Sequence, residues 1–180
     1  MVRKLDFVKP THMKVLQLFL SDPIQEYHER EVMRRGGVSK GSANRILRLL
    51  SGMDFLTKDR RGRMIFYKLN LREPMVRQFK VLFNIYTLKK LVDVIKQHTR
   101  RIILFGSCSQ GIDLKESDFD LFILTLEKEY VRGKISDFNR KNERKIAPIV
   151  VDATEFASLK KEDEPLYENI ERGITLWEAE

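Results

Sequence analysis

Residues 105–124 read "FGSCSQGIDLKESDFDLFIL", and two aspartates, Asp118 and Asp120, sit one residue apart in a run that is otherwise apolar. Successive side chains of a strand point to opposite faces. A strand here therefore sends both carboxylates to one face and Phe119, Leu121 and Ile123 to the other. Charges are rarely buried unless paired or bound to a metal. Two neighbouring carboxylates repel unless a shared cation or proton holds them. A divalent cation such as magnesium answers that need, because it takes oxygen ligands together with substrate phosphates. Just upstream, "RRIILFG" is a short apolar run ending in glycine, which predicts a buried strand closed by Gly106-Ser107. Glycine lets backbone approach a phosphate, and a helix starting there offers unpaired N–H groups. A phosphate-holding turn and a cation-holding acid pair thus converge, as two-metal phosphoryl chemistry requires.

The rest of the composition bounds this reading. A chain of 180 residues has room for one large or two small domains. It is 42% hydrophobic and 33% charged, which suits a soluble globular protein. Its longest apolar runs fall far short of the ~20 residues that cross a bilayer. "MVRKLDF" leads into no apolar stretch, so neither a signal peptide nor a membrane role is expected, and the cytoplasm is the expected location. One cysteine, Cys108, excludes an internal disulfide and a cysteine-cluster zinc site. With no histidine near it in sequence, Cys108 reads as a small buried residue rather than a nucleophile.

The net charge of +8 is unevenly spread: residues 1–100 carry a net +13 and residues 101–180 a net −5. Such a split implies two halves with different partners. A basic half favours a polyanion through phosphate contacts and counterion release.

In the basic half, "KPTHMKVLQLFLSDP" predicts a short helix with Val15, Leu16, Phe19 and Leu20 on its apolar stripe, stopped by Asp22-Pro23. "YHEREVMRRGG" predicts a second, ended by Gly36-Gly37. "VSKGSANRILRLLSGM" predicts a third, capped by Ser39, with Ala43, Ile46, Leu47 and Leu50 facing a core. Its opposite face carries Lys40, Ser42, Asn44, Arg45 and Arg48, donors able to reach phosphates and base edges. "DFLTKDRRGRMIFYKLN" predicts a hairpin with its turn at Asp59–Arg63, where Arg60, Arg61 and Arg63 crowd together. His12 and His28 are expected on helix surfaces, solvated. Three helices and a basic hairpin over residues ~10–70 resemble a winged helix-turn-helix DNA-binding domain. The resemblance makes the third helix the recognition helix and the arginines the wing tip. The other reading is a solvated helix face and a charged turn serving a protein partner.

Residues 72–98 are helix-like. Val76, Phe79, Leu82, Phe83 and Tyr86 form one apolar face, and Leu88, Leu91, Val92 and Ile95 another. The change of face predicts a break, with Thr87 capping a second helix. The first segment then serves as a linker or as the helix of a homodimer.

"LFGSCSQGIDLKESDFDLFIL" resembles the signature of the polymerase β-like nucleotidyltransferases: apolar residues, Gly-Ser, about ten residues, then Asp-x-Asp in a strand. It is most similar to the minimal nucleotidyltransferases, and "PLYENIERGITLWE" resembles the way those small domains end. The resemblance covers residues ~88–177. It implies that Asp118 and Asp120 bridge two magnesium ions and that Gly106 and Ser107 hold the phosphates of a nucleoside triphosphate. It also implies a third carboxylate on a later strand. "APIVVDATEF" offers Asp152 at the end of an apolar run, Ile149–Val151, with Glu155 as a second candidate. The other reading of Asp152 is an N-cap for a helix beginning near Thr154. Many minimal relatives carry arginines after the Gly-Ser. Here Cys108 and Gln110 stand in that stretch, and Lys115, Arg140, Lys141, Arg144 and Lys145 are the candidate replacements.

The expected fold class is α+β: a winged helix domain at 1–71, a helical connector at 72–87 and a small mixed-sheet nucleotidyltransferase domain at 88–180. The resemblance implies magnesium-dependent transfer of a nucleotidyl group from a nucleoside triphosphate to a hydroxyl, which in minimal relatives sits on a protein in toxin–antitoxin pairs. Duplex DNA and a protein acceptor or toxin are the expected partners. The alternative is a DNA-binding regulator or antitoxin whose transferase domain senses nucleotide or is inactive.

Overall fold

The computed structural model describes residues 8–179; residues 1–7, which include the "MVRKLDF" reading, and residue 180 lie outside the described residues. The chain forms two compact units, Met1–Phe79 and Lys80–Glu180.

In the first unit, α1 (Pro10–Ser21) opens on a proline whose missing N–H costs nothing in a first turn, and it ends at Asp22. After β1 (Tyr27–His28), α2 (Glu29–Gly36) begins with a capping box. The His28 ring accepts from the Glu31 N–H, and the Glu31 carboxylate accepts from the His28 N–H. Gly37, at φ 59°, closes α2 in the left-handed region. Ser39 caps α3 (Lys40–Gly52) by accepting from the Ser42 N–H. Val15, Leu16, Phe19, Val32, Ala43, Ile46, Leu47 and Leu50 bury the facing stripes of the three helices. The hairpin of β2 (Leu56–Arg61) and β3 (Met64–Leu69) takes β1 as a third antiparallel strand, in the order β1-β3-β2.

Two expectations change here. The hairpin turn is tighter than Asp59–Arg63, because Gly62 at φ 61° makes the reversal and leaves Asp59 and Arg60 paired with Phe66 and Ile65. His12 is buried, at 8% exposure, rather than solvated; burial and the charges of Lys9 and Arg45 lower its pKa.

The expected helix break is absent. α4 runs unbroken from Pro74 to Ile95. The Thr87 hydroxyl donates to the Phe83 carbonyl one turn back, so it serves the helix interior instead of starting a new helix. The apolar stripe rotates because α4 contributes to both units. Phe79 meets the Phe55 ring at 5.8 Å in the first unit, while Leu88, Leu91, Val92 and Ile95 join the core of the second. Leu82 and Tyr86, expected on an apolar face, are 57% and 73% exposed.

The second unit holds a mixed sheet of β4 (Arg101–Phe105), β5 (Phe119–Leu124), β6 (Ile146–Val151) and β7 (Ile174–Glu178), in the order β6-β5-β4-β7. Only β5 and β6 run parallel. A one-turn helix, α5 (Gly106–Gln110), follows β4. One sheet face, with Ile102, Leu104, Phe119, Leu121 and Ile123, packs on α4 and on α6 (Lys128–Lys141). The other, with Ile103, Phe105 and Phe122, packs on α7 (Ala153–Glu162) and α8 (Glu164–Glu171). The α+β class is as expected.

Gly173 joins α8 to β7 with no room for a side chain. A Cβ there would lie 2.5 Å from Ile103 Cγ2 and 2.7 Å from the Leu104 carbonyl oxygen. Gly173→Ala is expected to cost roughly 2 kcal/mol by forcing β7 off β4. Urea denaturation measures this, and an unchanged midpoint would contradict the packing described.

Candidate functional site

β4 delivers the chain to Gly106, whose φ of 65° lies in the left-handed region. A Cβ at this position would collide with the Asp120 carboxylate, so the turn needs glycine for conformation and for space. α5 then turns once and ends at Gly111, whose N–H donates to the Ser107 carbonyl. Phe105 pairs with Asp120 across the β4–β5 ladder, which brings the Gly106-Ser107 turn beside the acid pair.

Asp118 is exposed and Asp120 half-buried, on the sheet face shared with Phe122, while Phe119, Leu121 and Ile123 take the opposite face as expected. The Asp120 pKa is raised, first by burial and then by the charge of Asp118, against the pull of the Arg144 guanidinium. The pair is therefore held at an electrostatic cost that a shared cation relieves. Two carboxylates suit a magnesium ion that completes its shell with phosphate oxygens and water. Among the described residues, no group of three or more His, Cys, Asp or Glu side chains is placed to hold a metal ion.

The structure does not bring Asp152 to this pair. β6 runs parallel to β5, with Ala147 beside Asp120 and Val151 beside Leu124. Asp152 follows Val151 and so lies roughly 16 Å along the strand direction from Asp120, at about 3.3 Å per residue. There it caps α7, accepting from the Thr154 and Glu155 N–H groups, and it pairs with the Lys128 ammonium at 2.7 Å. Glu155 accepts from the same ammonium at 2.6 Å. The residue placed where a third carboxylate would meet Asp120 is Ala147.

The candidate phosphate cations are mostly engaged. Arg140 pairs with Asp137, and Lys145 donates to the Asn139 and Asn142 carbonyls. Arg144 pairs with Asp113 at 2.8 Å and donates to Cys108 Sγ at 2.8 Å, with its guanidinium 4.1 Å from the Phe119 ring centroid. Lys115 and Lys141 are exposed. Cys108 is fully buried, and that burial pushes its thiol up to about 12, so it is no nucleophile. Arg144 belongs to a cluster with Lys80, Asn84 and Asp113 that sequence reasoning missed. Its one local signal was a lysine and an asparagine four residues apart within an apolar helix face.

In the first unit, Lys40, Arg45 and Arg48 are exposed on α3, and Ser42 and Asn44 are half-buried beside them. A groove of about 580 Å³ runs between this face and the hairpin, lined by Lys40, Asn44, Arg48, Arg63, Ile65 and Tyr67 among others. The Asn44 amide donates to Glu29 at 2.8 Å, which fixes its orientation. Arg61, the last residue of β2 beside the Gly62 turn, is exposed like Arg60 and Arg63 but pairs with Glu26 and Asp59, each at 2.7 Å, over the Phe66 ring.

Removing the cap tests the assignment of Asp152. The Lys128 hydrogen bond, with the backbone donors of α7, holds the Asp152 carboxyl below its ordinary value of 3.8. A depressed carboxylate contributes stability above that ordinary value and loses it as pH falls through the folded one. Asp152→Ala is therefore expected to lower the thermal midpoint at pH 7, with the gap to wild type closing under acid. A gap that is absent at pH 7, or unchanged by acid, would contradict the capping role.

Comparison with known proteins bears on the second unit. Residues 87–175 match the family model of the nucleotidyltransferase domain. No curated protein matches the chain. Solved structures with partial similarity include a toxin–antitoxin with AMP-PNP, at 23% identity over 54% of this chain and 75% of that one, with a TM-score of 0.38. A possible transcriptional regulator for arsenical resistance shares 21% identity over 56% of this chain and 100% of that one, at 0.36. NolR from Sinorhizobium fredii shares 15% identity over 49% of this chain and 75% of that one, at 0.34. Gly106, Ser107, Asp118 and Asp120 all fall within the residues of this α+β chain that match the nucleotidyltransferase domain model.

Proposed function

We propose that the second unit binds a magnesium–nucleoside triphosphate on Asp118, Asp120 and the Gly106-Ser107 turn, and transfers its nucleotidyl group to an acceptor hydroxyl. The observation that carries this reading is the acid pair at the start of β5 with Gly106 packed against it, inside the matched domain. The metal would neutralise the pair and the phosphates and polarise the phosphoryl group under attack. The chain's own part is geometric. Gly106 leaves space for the Asp120 carboxylate, the α5 turn presents Ser107 to the phosphates, and β5 holds both acids on one face.

A second reading is favoured by Ala147 and Asp152. With alanine beside Asp120 and Asp152 tied to Lys128, no third carboxylate among the described residues is grouped with Asp118 and Asp120 to serve an attacking hydroxyl. A domain that binds nucleotide as a regulatory signal needs only the first two acids. Labelled triphosphate separates the readings. Transfer of label to an acceptor in cell extract supports the enzyme. Tight magnesium-dependent binding with no transfer supports the sensor.

For the first unit we propose duplex DNA as the ligand. The exposed Lys40 and Arg48 of α3 and the exposed Arg63 of the hairpin line one groove, Arg45 and Arg60 are exposed on the same two elements, and the half carrying them is basic. The three helices and hairpin follow the winged-helix pattern, which supports α3 as the element that enters the major groove.

Calorimetry with magnesium–ATP is expected to detect binding to wild type and none to Asp118→Asn or Asp120→Asn, while both variants stay at least as stable as wild type without ligand. Unchanged affinity in both variants would sink the nucleotide site. For DNA, about five phosphate contacts give a log–log salt slope near −4.5. Arg45→Ala and Arg48→Ala are expected to weaken sequence preference, and Arg60→Ala and Arg63→Ala to weaken binding uniformly. Duplex retention that ignores salt would rule out this interface.

A further inference from the structure

The loop between the phosphate turn and the acid pair is held by charge rather than by apolar packing. Between Gly111 and Phe119, its large apolar side chains Ile112 and Leu114 are 44% and 39% exposed, and the side chain it buries is Asp113, at 1% exposure. Asp113 accepts from the Lys80 ammonium at 3.1 Å, from the Asn84 amide at 3.0 Å and from Arg144 at 2.8 Å. Lys80 and Asn84 project from α4, 2% and 1% exposed, and Arg144 follows α6.

The same side chains grip the backbone on both sides of the candidate site. Asn84 donates to the Cys108 carbonyl at 3.0 Å, next to Ser107. Arg144 donates through Nε to the Ser117 carbonyl, next to Asp118, and through Nη1 to Asn84 Oδ1 at 3.1 Å. The Cys108 thiol donates to the Asp118 carbonyl at 3.0 Å, tying the turn directly to the acid. Buried ionic clusters are poor sources of stability, because apolar residues of similar size usually do as well or better. A cluster with two cations and one anion at the back of the site therefore calls for a reason other than stability.

We infer that Lys80, Asn84, Asp113 and Arg144 are positioning residues, which hold the Gly106–Cys108 turn and Asp118 at the separation a metal-bound triphosphate bridges. The inference rests on the nucleotide reading above for what the site binds. None of the four touches the ligand. Arg144 in particular is a brace, its donors spent on Asp113, Asn84, Cys108 and Ser117, and not a replacement for a phosphate-binding arginine.

The test uses the full chain with Lys80→Met, Asp113→Leu and Arg144→Met combined, which removes all three charges together and leaves none unpaired. Hydrogen exchange is read on nucleotide-free protein, and magnesium–ATP affinity by calorimetry. The expected result is an unfolding midpoint no lower than wild type, with exchange across residues 107–118 faster by roughly tenfold or more and affinity lower by a similar factor. A merely structural cluster would move the midpoint and not the affinity. Arg144→Lys keeps the charge and the Asp113 pair but loses the fork that spans Ser117 and Cys108. It is expected to show the same two changes, and it decides the matter if the triple variant does not fold. Unchanged exchange, or faster exchange with unchanged affinity, overturns the inference. Absence of binding in wild type overturns the proposed function instead, since exchange is scored without nucleotide.

Discussion

The carboxylates of Asp118, just before β5, and Asp120, on it, repel each other, and half-burial of Asp120 adds a desolvation cost to that repulsion. Much of the second unit answers that constraint. Gly106 vacates the space the Asp120 carboxylate fills, at a backbone angle that glycine adopts without strain. The sheet places Phe105 opposite Asp120, so the end of one strand and the start of the next form one rim. Behind the rim, a surplus positive charge at Lys80 and Arg144 faces one buried anion, Asp113. This arrangement is costly in isolation and reasonable if a cation and phosphates complete it.

Much of this was legible in the sequence because the signals are local. Alternation put Asp118 and Asp120 on one face, and Gly-Ser before them marked the turn. Ser39, Gly37 and Asp22 punctuate the helices where capping chemistry expects them. The errors share a cause, which is that register and long-range pairing leave no local trace. Asp152 ends a strand, as read, but the parallel pairing of β6 with β5 puts that end far from the acids. β6 also extends beyond the apolar run Ile149–Val151, through Pro148, because it is an edge strand, where a residue without an N–H is tolerated. Thr87 looks like a cap until its hydroxyl is seen to serve Phe83. The Lys80–Asp113–Arg144 cluster joins residues 33 and 31 positions apart, beyond any spacing rule.

The two units divide the electrostatic work. The basic half presents cations outward, on α3 and the hairpin, where exposure keeps them strong partners for phosphates. Arg61 is the exception, held by Glu26 and Asp59 as a strut of the hairpin. In the second unit Lys80 and Arg144 are engaged by Asp113, Lys128 by Asp152 and Lys145 by backbone carbonyls, and Asp118 is left exposed at the rim.

Paramagnetic relaxation by manganese, added with ATP to the isotopically labelled full chain, tests the central claim most directly, because it locates the metal without assuming any activity. The account expects broadening centred on the amides of Gly106, Ser107 and Asp118–Asp120, dependent on nucleotide, with Thr154 and Glu155 little affected. Broadening centred on Asp152, Glu155 and Lys128, or equal with and without nucleotide, would contradict it.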